Sequence, residues 1–88
     1  MIEKIKETLK QLEAAENECS KIDIESEKYP DDLEIEKRWD TAYKKEWELY
    51  EKASNLLAEF AEIDVKIARA MIRKGGCREK IVSILNIV

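Results

Sequence analysis

Residues 28–32, Lys-Tyr-Pro-Asp-Asp, contain the only proline of the 88-residue chain and decide its fold. A proline inside a helix removes a backbone hydrogen bond and clashes with the preceding turn, and it disfavours helical geometry at the residue before it. On both sides of this stretch apolar residues recur every three to four positions, which is the spacing of an amphipathic helix. The sequence therefore predicts an all-α fold: a long antiparallel helical hairpin followed by a short C-terminal helix. Asp31 is expected to cap the second helix, because its carboxylate can accept the free N–H groups of the first turn.

The first helix is predicted from Ile2 to Lys28. One face of it is apolar, at Ile2, Ile5, Leu9, Leu12, Ala15, Cys19 and Ile22. This face is dense in the first half of the helix and sparse after Glu16. The second half should therefore depend on its partner helix, because helical propensity alone gives marginal stability.

The second helix is predicted to begin at Leu33, and no proline or glycine follows it before Gly75. Its apolar periodicity continues throughout, which favours one helix over residues 33–74, about 60 Å long. The alternative is a kink near Glu62, after which Asp64 would cap a separate helix.

An aromatic edge runs along the second predicted helix beside an aliphatic one. Together the two edges span more than about 150° of the helix, whereas one antiparallel neighbour requires an apolar face of about 100°. Either the C-terminal segment folds back over the remaining apolar surface of this helix, or a second chain covers that surface. Because that segment is short, we expect a homodimer that forms a four-helix bundle. The predicted dimer or interaction face consists of Trp39, Tyr43, Glu46, Trp47, Tyr50 and Leu57.

Glu46 is the one carboxylate in the middle of this face, and a buried carboxylate needs a hydrogen-bond donor. A tyrosine hydroxyl or a basic side chain of an adjacent helix is the expected partner. The chain has no histidine, no phosphate-binding glycine loop and no CxxC or HExxH motif. We therefore predict no enzyme, and we assign no catalytic residue, no cofactor and no metal.

Charge divides the predicted single domain, residues 1–88, into two parts. Residues 1–63, the acidic hairpin, carry eighteen acids and ten bases, whereas residues 64–88, the basic end, carry two acids and six bases. The basic end is expected to form a helix, a stop at Gly75-Gly76 and a last helix from Arg78 to Ile87. Its bases would either neutralise an acidic hairpin, in the same or a neighbouring chain, or bind an external anion. The candidate anion contacts are Lys66, Arg69, Arg73, Lys74, Arg78 and Lys80.

Residues 67–88 show a further pattern: a helix that ends in glycine, a second helix with an early acid and spaced aliphatic residues, and then Leu85-Asn86-Ile87. This stretch resembles the opening of a bacterial resolvase-type helix-turn-helix and is similar to segments near the C-termini of plasmid mobilisation proteins. The resemblance implies an association with DNA in which the recognition helix follows Asn86. Since the sequence stops at Val88, no residue is assigned to base readout, and the basic side chains would contact phosphates.

The leading functional prediction is a small cytoplasmic protein–protein interaction and oligomerisation module without catalytic activity, which forms a homodimer and binds an unidentified protein. The alternative is a nucleic-acid-associated accessory protein, of phage or plasmid type, that uses the basic end. No apolar run approaches the roughly 18 residues of a membrane span, so no membrane association is expected. The N-terminus lacks the apolar core of a signal peptide, and Cys19 and Cys77 are expected to be reduced.

Overall fold

The computed structural model describes residues 1–73 and 76–87, and all the regular secondary structure in these ranges is helical. The helices are α1 (Ile2–Lys28), α2 (Leu33–Ala61), α3 (Val65–Ile72) and α4 (Arg78–Ile87). The predicted all-α hairpin is confirmed, and α1 and α4 have the predicted bounds. Gly75 of the predicted glycine stop lies outside the described residues, as do Lys74 and Val88. None of the described helices combines the length and apolar composition that crossing a membrane requires.

The turn between α1 and α2 differs from the prediction in its capping residue. The Asp32 carboxylate, not that of Asp31, accepts hydrogen bonds from the backbone N–H groups of Glu34, at 2.9 Å, and Ile35, at 3.4 Å. The capping side chain is the one that directly precedes the first helical residue, and α2 begins at Leu33. The cap is therefore one residue later than predicted.

The prediction of one helix over residues 33–74 is wrong. Helix α2 ends at Ala61, and Glu62 adopts the left-handed conformation, with φ 55° and ψ 44°. After this turn the Asp64 carboxylate accepts a hydrogen bond of 2.8 Å from the N–H of Lys66 and caps α3. The alternative of a separate helix that is capped by Asp64 is the correct one.

The length of α1 explains why the chain turns here. With 27 and 29 residues, α1 and α2 are about 40 and 43 Å long and match each other. A continued α2 would extend beyond the end of α1 and leave its apolar face in water. The turn instead reverses the chain, so that Ala68 and Ile72 of α3 become completely buried.

The hydrophobic core lies where α3 and α4 pack against the hairpin, and we call this half of the molecule the bundle end. Its buried residues come from all the helices: Ile5, Leu9, Leu12, Ala53, Leu57, Ala68, Ile72, Ile81 and Leu85. At the bundle end, α3 and α4 thus provide the cover that we expected from a second chain. Leu57, predicted for the dimer face, lies inside this intramolecular core with an exposure of 4%.

The other half of the hairpin, which we call the stalk (residues 16–47), consists of α1 and α2 alone. Its buried apolar residues are few, namely Cys19, Ile22 and Ile35. Because the stalk continues beyond the bundle end, the molecule is elongated and measures 47 × 21 × 19 Å.

Candidate interaction surface

A tyrosine hydroxyl positions α3 on the hairpin. Tyr50 of α2 donates a hydrogen bond from its hydroxyl to the backbone carbonyl of Arg69, near the middle of α3. Since α3 runs back along α2, the residues that follow Arg69 lie closer to the stalk. The C-terminal end of α3 and the start of α4 therefore form a step, about one helix diameter or 10 Å high, above the surface of the stalk.

A buried ion pair attaches α4 to α1 at this step. The Arg78 guanidinium donates to both carboxylate oxygens of Glu16, with Nη2 3.2 Å from Oε2. The same guanidinium donates to the backbone carbonyl of Ile72, from Nε at 2.9 Å and from Nη2 at 2.6 Å. One side chain thus joins α1, the end of α3 and the start of α4.

We did not predict this pair, although one residue of it carries a signal in the sequence. Glu16 follows Leu12 by four residues and so lies on the apolar face of α1, where a carboxylate requires a partner. Its partner is 62 residues away along the chain, and only the reversal at Glu62 brings the two together.

Trp39, Tyr43, Trp47 and Tyr50 form an aromatic ledge along α2, from the stalk to the foot of the step. The rings of Trp39 and Tyr43 stack with centroids 4.9 Å apart, and those of Trp47 and Tyr50 with centroids 5.9 Å apart. Tyr43 and Trp47 each keep 49% of their surface exposed. Large apolar residues that are held side by side and left half exposed are typical of an interaction site.

The step cleft lies where the aromatic ledge meets α3, and its volume is about 420 Å³. Its walls are formed by Glu16, Tyr43, Glu46, Trp47, Tyr50 and Arg69. Four residues of the predicted interaction face are therefore brought together here, with one residue from α1 and one from the predicted anion contacts. The Arg69 Nε is buried and has no hydrogen-bond partner among the described residues, which leaves one donor in the wall of the cleft unsatisfied.

The tip cleft lies at the far end of the same ledge, beside the turn between α1 and α2, with a volume of about 240 Å³. It is lined by Asp23, Ser26, Tyr29, Pro30, Asp32, Ile35, Glu36 and Trp39. Trp39 belongs to this cleft and stacks on Tyr43, which belongs to the step cleft. The two clefts therefore lie on one continuous face of the hairpin.

Glu46 lies in the wall of the step cleft. One of the two tyrosine hydroxyls beside it on the ledge, that of Tyr50, donates to the backbone of α3. Burial, followed by a hydrogen bond to Glu46 and repulsion by its charge, raises the pKa of Cys19 to about 11. The thiol is therefore protonated at neutral pH and poorly nucleophilic.

The candidate anion contacts differ in their surroundings. Arg78 is paired with Glu16, and Arg69 lines the step cleft. Lys66, Arg73 and Lys80 are exposed, and Lys74 lies outside the described residues. Among those residues, no three histidine, cysteine or carboxylate side chains are arranged to hold a metal ion.

The opposite face of the hairpin has a different character. It holds a depression of about 510 Å³, lined by Gln11, Ala14, Ala15, Glu18, Ala42, Lys45 and Leu49. No aromatic residue lines it, and nearby an exposed ion pair of 2.8 Å joins Arg38 to Glu25. The aromatic ledge and its two clefts are the stronger candidate site, since aromatic residues are enriched where proteins bind one another.

Comparison with protein-family models, with curated proteins and with solved structures finds no match to this chain. The resemblance of residues 67–88 to a resolvase-type helix-turn-helix therefore stays a prediction.

Proposed function

We propose that this chain is a non-catalytic protein–protein interaction and oligomerisation module of the cytoplasm, and that its first partner is a second copy of itself. The observation that carries the proposal is the aromatic ledge. At the bundle end the same face of the hairpin is covered by α3 and α4, whereas on the stalk Tyr43 and Trp47 remain half exposed. A second stalk that packs on the ledge would complete a four-helix arrangement along the whole hairpin.

The chemistry of the ledge supports a protein partner. Aromatic side chains bury a large apolar area and lose little conformational entropy, which makes them frequent anchors at interfaces. Both cysteines are free thiols, as is usual in a reducing compartment. The nucleic-acid alternative has less support, because Arg78 is already neutralised by Glu16 and Arg69 lies in the wall of the step cleft.

Light scattering after size exclusion tests the proposal. At micromolar concentrations we expect a particle of twice the 10.3 kDa chain mass. Replacing a central interface aromatic costs about 2 kcal/mol or more, so Trp47→Ala should weaken the dimer by about thirtyfold. Phe60→Ala is the matched control, because Phe60 is an exposed aromatic residue of α2 at the bundle end and should leave association unchanged. A monomer at 100 µM, or equal effects of the two variants, would refute the proposal.

A further inference from the structure

We infer that the dimer is antiparallel, and that the hairpin tip of each copy docks against the step of the other. This inference rests on the proposed function, because it specifies how a second copy occupies the aromatic ledge. In this arrangement each ledge packs on the other across a twofold axis, and the tip cleft of one copy faces the step cleft of its partner.

Charge complementarity is the first argument. Residues 27–36 at the hairpin tip contain five acids and one base, and Asp23 and Glu36 are the carboxylates that line the tip cleft on the ledge side, beside the capping Asp32. The step has a small positive balance of charge: its cleft contains Arg69 together with Glu16 and Glu46, but Arg78 is paired with Glu16, and Arg73 is exposed one turn beyond Arg69, just after the end of α3. A parallel dimer would place two acidic tips together, whereas the antiparallel one places each acidic tip beside a basic step.

Shape and area supply the second argument. The part of α2 that α3 leaves uncovered, from Leu33 to Trp47, includes most of the aromatic ledge and is about 21 Å long, and the molecule is 19–21 Å wide. Two such surfaces cover a projected area of about 800 Å² in total, less than the roughly 1,200–2,000 Å² of a stable interface. When they overlap fully in the antiparallel orientation, the tip of each copy reaches the step of the other, and these two end contacts enlarge the interface.

Charge-reversed variants of the full chain test this arrangement. Glu36→Arg places a base at the tip and Arg73→Glu places an acid at the step, so that each variant on its own should dimerise about tenfold more weakly or worse. Glu34→Arg is the matched control for the tip, since Glu34 is exposed in the same helical turn but points about 200° away from Glu36. Lys66→Glu is the control for the step, and both controls should retain the wild-type dissociation constant.

Mixing the two variants gives the decisive measurement. In an antiparallel heterodimer the new base at position 36 of one copy lies beside the new acid at position 73 of the other, and the unchanged tip lies beside the unchanged step, so both end contacts pair opposite charges. We expect the equimolar mixture to recover wild-type affinity in sedimentation velocity. A dimer that is insensitive to Glu36→Arg, or a mixture no tighter than its components, would overturn the antiparallel arrangement while the proposed function stands. A wild-type monomer would overturn both.

Discussion

Removal of the Arg78 guanidinium should be the most destabilising change of a single charged residue in this protein. In Arg78→Met the Glu16 carboxylate, with 9% of its side chain exposed, loses the cation with which it is paired, and the Ile72 carbonyl loses two hydrogen bonds. Breaking a fully buried pair from one side costs about 3–5 kcal/mol. Since 16% of the Arg78 side chain reaches solvent, we expect a loss of about 2–3 kcal/mol.

A double-mutant cycle separates the pair from the packing of its side chains. Glu16→Leu together with Arg78→Met replaces both charges by apolar groups of similar size, which is often close to neutral for a buried pair. The double variant should therefore recover most of the lost stability, with a coupling free energy of about 2 kcal/mol. In thermal denaturation monitored by circular dichroism, Arg78→Met should lower Tm by about 10–20 °C, because 1 kcal/mol corresponds to about 4–8 °C in a domain of this size.

The exposed pair between Arg38 and Glu25 is the control. It has a similar N–O distance, 2.8 Å, but about half of each side chain is exposed, 51% and 44%. Exposed pairs contribute about 0–1 kcal/mol, so Arg38→Met should change stability by less than 1 kcal/mol. If Arg78→Met has an effect as small as Arg38→Met, the reasoning that a buried ion pair holds α4 on the hairpin is refuted.

Three further outcomes are expected. Because burial and Glu46 raise the pKa of Cys19 from its ordinary 9.0 to about 11, the stability gained from the protonated thiol is fully present below pH 9.0 and is lost as the pH rises toward 11. Over this pH interval the free energy of unfolding of the wild-type protein, measured by urea denaturation, should thus fall by about 2 kcal/mol more than that of Cys19→Ala. Identical pH profiles of the two proteins would contradict this prediction. Glu62→Gly should raise stability by about 0.5–1 kcal/mol, because a glycine adopts the left-handed φ of 55° without strain, and a lower Tm would be the contrary result. At about 150 mM salt no binding to duplex DNA is expected in fluorescence anisotropy, and sub-micromolar binding that falls steeply with salt and is abolished by Arg73→Glu would favour the nucleic-acid alternative.

The hairpin itself could be predicted from the sequence, because its signals are local. Pro30 prevents helical geometry across its own turn, and the spacing of Ile5, Leu9 and Leu12 selects one helical face. Such effects act within a few residues, and they placed the ends of α1 and the start of α2 where the structure has them. The aromatic ledge was also visible in the sequence, since side chains at intervals of three and four residues must share one side of a helix.

The sequence did not decide where α2 ends. Neither Glu62 nor Asp64 is a strong helix stop when considered alone, and a non-glycine residue in the left-handed conformation costs about 1–2 kcal/mol. That cost is offset only when α3 turns back and buries Ala68 and Ile72 in a core that α1 provides. The stabilisation therefore comes from tertiary packing, which the residues around Glu62 do not indicate.

Three features of the candidate site were decided by tertiary structure. The pairing of Glu16 with Arg78 spans 62 residues, the position of Arg69 beside the aromatic ledge depends on the reversal of α3, and Leu57 changes from a surface residue to a core residue once α3 covers it. Helical periodicity states which residues share a face, but it does not state what packs on that face. The sequence alone determined the helical hairpin and its apolar face, and the turn at Glu62 decided which half of that face is buried within the chain and which half remains exposed.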